Sequence, residues 1–314
     1  MEATRTFTTG DGVRIAYRLM RQGAPRRTLV LIHGLASNLT RWSEFAATTR
    51  LAESWDVLRL DLRGHGGSLY RGRVGMQVWC DDLAALLDAA NVPQAVLVGH
   101  CLGANLALWF AHRAPERVAG LVLIEPMFRQ ALAGTLARAA AWRPLCAALV
   151  PLLTTLAALG LHRRRLAPLD LAELDRAARA AMATSGGAFP QARYASPLDD
   201  LRSLPTGVYL QDFIAVTGPL PELTSLPAPV LALLSAGGTF SNPETTAGLL
   251  TALPDCRVER IAAQHWIPTE QPLAMRTAIE DWCETVLESS GSPPSVPQQK
   301  ARGEQQQGKQ QQGQ

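Results

Sequence analysis

Cysteine is scarce in this chain, and its spacing suits neither a disulfide framework nor a zinc site. The 314 residues include five cysteines, an odd number with no Cys-x-x-Cys pair among them: Cys80, Cys101, Cys146, Cys256 and Cys283. Structural zinc sites use closely spaced cysteines, and disulfide-rich domains are short and contain many more of them. We therefore expect no metal, no disulfide framework and a reducing compartment.

The chain also lacks a concentrated patch of charge and an apolar segment near its first residue. Thirty Lys and Arg residues oppose 27 Asp and Glu residues, a net charge of +3, and the positive residues are scattered. Nucleic-acid binding needs a basic stripe or patch, so we expect no nucleic-acid partner. The opening MEATRTFTTGDG has no apolar stretch like that of a signal peptide, and we expect a cytoplasmic protein.

Short apolar runs alternate with helical patterns, which predicts a parallel sheet covered by helices on both faces. The predicted strands are Val13–Leu19, Thr28–His33, Val57–Leu60, Ala95–Gly99, Leu121–Ile124, Val230–Leu234 and a run near Arg257–Ile261. The predicted helices are Gln77–Ala90, Pro243–Leu253 and a stretch near Pro272–Leu287. Because hydrophobic residues make up 47% of the chain, a sizeable core is available.

A segment rich in Ala, Leu and Arg interrupts this alternation. It spans 126–228 and predicts several helices without a strand. We expect residues 1–125 and 229–288 to form the two parts of one core, with 126–228 as an inserted helical lid. Residues 289–314 consist largely of Gln, Gly, Ser, Pro and Lys with no aromatic residue, which predicts a disordered tail.

One part of the predicted lid is almost wholly apolar. Leu145–Leu161 has 17 residues, at the lower limit for crossing a bilayer, and Pro151, Thr154 and Thr155 interrupt it. A run of basic residues, 162–165, follows it directly. We interpret the stretch as a buried or substrate-facing pair of helices, and interfacial contact with a membrane is the alternative.

The sharpest motif is Gly99-His100-Cys101-Leu102-Gly103, between a predicted strand and a helical pattern. Glycines two positions either side of the centre permit a tight strand-to-helix turn, which projects the central side chain above the sheet. The positive end of the helix favours a thiolate at this place. The pattern therefore predicts that Cys101 is a nucleophile; a small buried cysteine is the alternative.

Three further motifs accompany this turn. His33-Gly34-Leu35 follows the TLVLI run, Asp61–Ser68 reads DLRGHGGS, and Gln264-His265-Trp266 follows the last predicted strand. Together with the GHCLG turn they resemble the α/β-hydrolase superfamily over nearly the whole chain, apart from the predicted lid and tail. The resemblance implies an α/β-hydrolase fold, a mostly parallel eight-stranded sheet flanked by helices, with a helical lid inserted after strand 6.

The resemblance also implies roles for individual residues. The backbone N–H groups of Leu35 and Leu102 would form the oxyanion hole, and His265 would be the catalytic base. Three other residues would organise loops: His33, His65 and Asp61. The residues expected to contact the substrate are His100, Trp266 and Met127.

The acid of the triad departs from the commonest pattern of the superfamily. That acid usually follows the seventh strand, where this sequence has Gly238. Glu125, at the end of the LVLIE run, is the substitute we predict, because some haloalkane dehalogenases of the superfamily have a glutamate there. Catalysis requires only a carboxylate that hydrogen-bonds to the imidazole. The alternative is that Glu125 pairs with an arginine such as Arg129.

A cysteine nucleophile points to acyl chemistry, because attack of sulfur on a carbonyl gives a thioester that other nucleophiles can open. We expect a cofactor-independent hydrolase or acyltransferase acting on an acyl ester, lactone or thioester. Dienelactone hydrolases, polyhydroxyalkanoate synthases and some thioesterases of the superfamily use such a cysteine. The expected partner is a small acyl substrate with an apolar chain, presented free or on a carrier. A catalytically weak binding protein and a membrane-surface lipid hydrolase are the alternatives.

Overall fold

An eight-stranded sheet forms the centre of the computed structural model, which describes residues 2–226 and 228–288. Its strands lie in the order β1-β2-β4-β3-β5-β6-β7-β8. In chain order they are β1 (Arg5–Thr8), β2 (Arg14–Met20), β3 (Thr28–Ile32), β4 (Asp56–Leu60), β5 (Ala95–His100), β6 (Val118–Ile124), β7 (Val230–Ser235) and β8 (Cys256–Ile261). The pairs β1–β2 and β2–β4 are antiparallel and the other pairs are parallel. The predicted sheet architecture is confirmed.

Helices surround this sheet. They are α1 (Ser43–Thr48), α2 (Met76–Ala89), α3 (Leu102–Arg113), α4 (Gly134–Ala139), α5 (Arg143–Ala158), α6 (Leu171–Thr184), α7 (Gln191–Tyr194), α8 (Pro197–Ser203), α9 (Thr206–Val216), α10 (Pro243–Leu250), α11 (Ile267–Glu270) and α12 (Pro272–Glu288). Alternate residues of each central strand enter two separate cores. In β3, Val30 and Ile32 pack on one face, while Leu29 and Leu31 pack on the other.

One strand has no counterpart among the predicted ones. β1 is four residues long, lies at the edge of the sheet and is mostly exposed. Its sequence, RTFT, contains a single large apolar residue, because an exposed edge strand does not need a buried face. The central strands β3, β4 and β5 are buried at every position, which is why continuous apolar runs identified them.

The chain between β6 and β7 forms α4 to α9, so the helical content expected for 126–228 is present. α5 packs against α9, and α9 packs against α3 of the core. The role of this segment as a lid remains a prediction. The predicted disordered tail, 289–314, lies outside the described residues.

A buried pair of helices at Leu145–Leu161 is wrong, and contact of this stretch with substrate remains a prediction. The stretch contains one helix, α5, which passes through Pro151 and has no buried residue. Apolar residues occupy all sides of α5, but α9 covers only one of them, and periodicity does not reveal how many faces a neighbour will cover. By length and composition alone, the helical stretch Gly134–Ala158 is long and apolar enough to cross a membrane.

Candidate active site

The turn between β5 and α3 places Cys101 in an unusual backbone conformation. Its φ is 54° and its ψ is −113°, a combination that a residue with a side chain adopts only under strain. Neither flanking glycine has room for a side chain. A Cβ on Gly99 would lie 2.3 Å from the carbonyl group of Gly103, and a Cβ on Gly103 would lie 2.4 Å from the carbonyl oxygen of Ile32. The glycine spacing therefore exists to make this turn.

The two predicted oxyanion residues lie on segments that adjoin the turn. Leu102 is the first residue of α3, so its N–H is one of the groups without a partner inside the helix. Leu35 follows Gly34, and a Cβ on Gly34 would lie 3.3 Å from Cβ of Cys101. Ala36 has a positive φ of 48°, which turns the backbone directly after Leu35. Their role as oxyanion donors remains a prediction.

His265 lies between Cys101 and Glu125. Its Nδ1 is 3.0 Å from Oε2 of Glu125, and the side chain of Cys101 is close enough to the imidazole to raise its pKa. The second oxygen of Glu125, Oε1, accepts the backbone N–H of Ser235 at 2.6 Å. All three residues predicted as the triad are buried and are brought together. The contact predicted as the alternative, between Glu125 and a basic residue such as Arg129, is replaced by these two bonds.

The loop that contains His265 is held by a second carboxylate. Glu270 accepts the backbone N–H groups of Gln264, His265 and Trp266 at 2.9–3.2 Å. Fixing three consecutive peptide groups limits the movement of the imidazole. The signal for this contact in the sequence is an acidic residue a few positions after the predicted catalytic histidine.

The contacts of His265 change its acid–base behaviour. Burial lowers its pKa, but the hydrogen bonds with Cys101 and Glu125 outweigh burial and raise the pKa to about 10. By contrast, burial raises the pKa of the Cys80 and Cys283 thiols to about 12, so these two cysteines are inert at neutral pH. Of these three thiols, only Cys101 has an imidazole partner.

The three residues predicted to bind substrate have different surroundings. Nε2 of His100 donates to the carbonyl oxygen of His265 at 3.2 Å, and burial and the neighbouring His265 keep the pKa of His100 well below its usual value. Met127 is fully buried and bonds through its backbone to the side chain of Asn105. Trp266 is buried beside His265, with ring centroids 5.3 Å apart. Substrate contact by these residues remains a prediction.

Aromatic rings from distant segments surround Trp266. Phe189 stacks on it at 5.1 Å, and Tyr194 lies at 5.6 Å. Phe240 meets the rings of both Trp266 and His265 edge-on, at 5.6 and 4.9 Å. Sequence reasoning missed Phe189, Tyr194 and Phe240, since only the fold brings these segments to the imidazole.

A buried ion pair fixes the inserted helices to the core next to this loop. The guanidinium of Arg41 donates to both oxygens of Asp175 on α6 at 2.6–2.7 Å and to the hydroxyl of Thr269 at 2.6 Å. Tyr194 donates to the same carboxylate at 2.9 Å. No sequence signal pointed to this cluster, because its members are far apart along the chain.

The residues expected to organise loops have contacts of that kind. Leu62 donates its N–H to Nε2 of His33 at 3.0 Å, and Asp61 accepts the N–H groups of Leu39 and Gly67. His65 pairs with Asp212 of α9 at 2.8 Å, and both side chains are fully buried. Among the described residues, no group of three or more His, Cys, Asp or Glu side chains is arranged to bind a metal ion.

Comparison with known proteins agrees with the fold. The sequence profile of the α/β-hydrolase fold matches residues 27–269. The chain belongs to the α/β-hydrolase family. Its sequence is 37% identical over 99 residues to 2-hydroxymuconate semialdehyde hydrolase from a Pseudomonas strain, a match covering 31% of this chain and 35% of that protein.

Another relative of this α/β hydrolase is the dihydrolipoyllysine-residue acetyltransferase component of an acetoin cleaving system from Cupriavidus necator. It is 32% identical over 126 residues, which cover 40% of this chain and 33% of the relative. The match to the curated relatives thus spans about a third of their length.

Solved structures share the fold over most of both chains. A thermophilic esterase from Thermogutta terrifontis has a TM-score of 0.65 at 22% identity, covering 91% of this chain and 99% of the esterase. An enol-lactonase from Burkholderia xenovorans has a TM-score of 0.64 at 18% identity, with coverages of 89% and 100%. At these identities the likeness concerns the fold alone.

Proposed function

We propose that this α/β hydrolase uses Cys101 as the nucleophile in acyl hydrolysis or acyl transfer. The observation that supports the proposal is the chain of contacts from Cys101 through His265 to Glu125, with the cysteine on a strained strand-to-helix turn. Nucleophile, base and orienting carboxylate in this order are the parts that covalent acyl catalysis requires.

The first step forms an acyl-enzyme. Nε2 of His265 holds the proton of Cys101, because Nδ1 is bonded to Glu125, and Sγ attacks the carbonyl carbon of an ester, lactone or thioester as a thiolate. The carbonyl oxygen becomes an oxyanion beside the N–H groups of Leu35 and Leu102. As the carbonyl re-forms, the bond to the leaving oxygen or sulfur breaks, and His265 protonates that atom.

The second step releases the acyl group. Water, an alcohol, an amine or another thiol gives its proton to His265 and attacks the thioester carbon. The C–S bond then breaks and restores the Cys101 thiolate, while His265 keeps the proton. Water yields a free acid, and the other acceptors yield a transferred acyl group. Relatives named as a hydrolase and as an acetyltransferase component support both outcomes.

The proposed substrate is a small acyl compound with an apolar chain, presented free or on a carrier. Phe189, Tyr194, Phe240 and Trp266 supply an apolar neighbourhood at the catalytic imidazole. Sites for apolar ligands are typically lined by aromatic and aliphatic side chains with a few convergent polar groups. The apolar composition of 126–228 supports the same substrate class.

The experiment is intact-protein mass spectrometry after brief incubation with p-nitrophenyl esters and acyl thioesters of increasing chain length. The parent should gain one acyl mass, and Cys101→Ala should gain none. Cys146→Ala is the matched control, because Cys146 is a partly exposed thiol on α5 and should leave the adduct unchanged. Faster decay on adding thiols or amines would indicate transfer. If the parent acquires no adduct and releases no product, the proposal fails in favour of a binding protein.

A further inference from the structure

Exposed apolar side chains are concentrated on α5 and the residues directly before and after it. Trp142, Leu145, Leu149 and Leu152 follow one another at intervals of three and four residues, so they line one side of the helix. Their exposed fractions are 63%, 50%, 39% and 55%. We name these four residues the α5 stripe. With Leu159 and Leu161 they are six of the ten exposed large hydrophobic residues in the described part of the chain.

Contacts with α9 keep the stripe facing outward. The guanidinium of Arg143 donates to the carbonyl oxygen of Ile214 at 3.1 Å. Leu153 lies against Gly207, where an added Cβ would be 3.6 Å from Cβ of Leu153. These anchors occupy the face of α5 that adjoins α9. The stripe therefore lies outside this helix pair, where none of its four side chains is buried.

The charged residues of the segment that contains the stripe have one sign. Residues 126–169 contain six arginines and no Asp or Glu, so this segment carries a charge of +6, while the rest of the chain sums to −3. Arg164 and Arg165 are exposed beyond the end of α5. Arg163 is tied to the protein, since it donates to the carbonyl oxygen of Leu204 at 3.2 Å. This segment thus combines an apolar stripe with cations and contains no acidic residue of its own.

We propose that the α5 stripe docks this protein on the surface of an anionic lipid bilayer. Aliphatic side chains and a tryptophan on one face of a helix, with arginines beside them, match the interface between acyl chains and negative headgroups. Each basic residue near such a surface adds attraction. This inference is independent of the proposed catalysis by Cys101.

The geometry favours a helix that lies in the membrane plane over one that crosses the bilayer. Crossing would require α5 to leave α9 and would bring Arg143 into the apolar layer without its carbonyl partner. Lying flat leaves both contacts intact. Only the stripe and the residues after it then enter the headgroup region, which is the depth that interfacial helices reach.

The first test is flotation of the full chain with vesicles of phosphatidylglycerol and phosphatidylcholine, compared with phosphatidylcholine alone. The parent should float with the anionic vesicles, and high salt should weaken this binding. Leu149→Ser with Leu152→Ser should weaken partitioning about tenfold or more, because two apolar contacts are lost. The matched control is Leu198→Ser with Leu273→Ser, two leucines that are 77% and 63% exposed outside the stripe and should have no effect.

The contribution of the arginines is tested separately. Arg164→Gln with Arg165→Gln should weaken binding to the anionic vesicles by about tenfold or more at low salt. The matched control is Arg5→Gln with Arg14→Gln, which removes two exposed charges from β1 and β2. Equal losses in the two double variants would contradict docking through α5. All of these side chains are exposed, so melting temperatures near the parent value are expected and should be measured.

Tryptophan fluorescence locates the docking surface directly. Trp142 is exposed, whereas the other six tryptophans are buried or half-buried. Vesicles containing brominated lipid should quench the parent, and Trp142→Phe should abolish that quenching. Absence of vesicle binding, or a dimer in sedimentation that the Leu149 and Leu152 substitutions dissociate, would overturn the proposal in favour of a second copy. Resistance of the bound protein to carbonate extraction would overturn the in-plane arrangement.

Discussion

Replacing Glu125 with glutamine tests the triad at its most unusual member. In the parent, Oε2 of Glu125 bonds Nδ1 of His265 and Oε1 accepts the N–H of Ser235. A glutamine has the same shape, but its oxygen can serve only one of these donors. If the oxygen stays with Ser235, the amide donates to Nδ1 and moves the imidazole proton to Nε2. The base then presents a proton to Cys101 instead of accepting one.

The cost of such a tautomer change is large. Replacing the carboxylate of a triad by its amide lowers kcat by about 10⁴-fold in the well-studied serine enzymes, and we expect a loss of about 10³-fold or more for Glu125→Gln. The assay is the single-turnover burst of p-nitrophenolate from an activated ester. Glu116→Gln, which changes an exposed glutamate in a turn, is the control and should keep the parent rate. A parent-like burst for Glu125→Gln would refute the assigned acid.

A second substitution tests whether a carboxylate after β7 can replace the one after β6. A Cβ on Gly238 would meet no atom closer than 3.5 Å, so a side chain can begin there without a clash. Gly238 is also where the family usually has its acid. We expect Gly238→Asp to restore part of the burst when combined with Glu125→Gln and to change the parent little. Failure of the double variant to recover, while its melting temperature stays at the parent value, would show that the imidazole accepts a carboxylate only from β6.

Three further predictions concern the turn, the nucleophile and a distant ion pair. Gly99→Ala should destabilise the protein by about 3 kcal/mol or more in urea unfolding, because its Cβ would overlap the carbonyl group of Gly103. Gly248→Ala is the control and should not destabilise the protein, because there is open space around Gly248. Cys101→Ser should keep the parent melting temperature but slow the acylation burst by an order of magnitude or more, since serine is a poorer anion at neutral pH; an equally fast serine variant would contradict thiolate chemistry. Burial lowers the pKa of His65, but Asp212 raises it above the ordinary value. The pair therefore stabilises the fold fully below about pH 6.5, the pKa of an unfolded histidine, and this stabilisation is lost as the pH rises through the pKa of His65 in the folded protein. Asp212→Asn should therefore cost on the order of 3 kcal/mol at pH 5.5 and less at high pH, and a pH-independent difference in unfolding free energy would disprove the linkage.

Features with a local cause could be predicted from the sequence. β3, β5 and β7 are buried on both faces, so each appears as a continuous apolar run. The turn at Cys101 was equally predictable, because its two glycines are demanded by atoms within the turn and the adjoining strand. Glu125 was predicted as the acid from the resemblance to the superfamily, since the usual position of the acid has a glycine and some members have a glutamate at the end of this strand.

Features that depend on a distant neighbour could not be predicted. The pair between Arg41 and Asp175 joins residues 134 positions apart, and either one alone resembles an ordinary surface charge. The exposure of α5 depends on how much of it α9 covers, and an apolar helix has the same composition whether one face or all faces are covered. The sequence predicted an apolar helical stretch there, but its surroundings required the fold.

The order of the strands explains how the proposed acid can follow β6. β5, β6 and β7 are adjacent and parallel, and Ile124 pairs with His100 on one side and Leu233 on the other. Cys101 directly follows His100, and Glu125 directly follows Ile124. The two residues therefore lie at the same level on neighbouring strands. The φ of Glu125, 52°, turns the chain there, and the end of β7 contributes the N–H of Ser235 to the carboxylate. His265 follows β8, so a carboxylate at the end of β7 would be nearer to the imidazole than one at the end of β6. A glutamate side chain is one methylene longer than an aspartate, which extends its reach from β6. The glutamate after β6 and the glycine after β7 are therefore two parts of one proposed arrangement, in which β7 holds the carboxylate of Glu125 through Ser235 instead of supplying the acid.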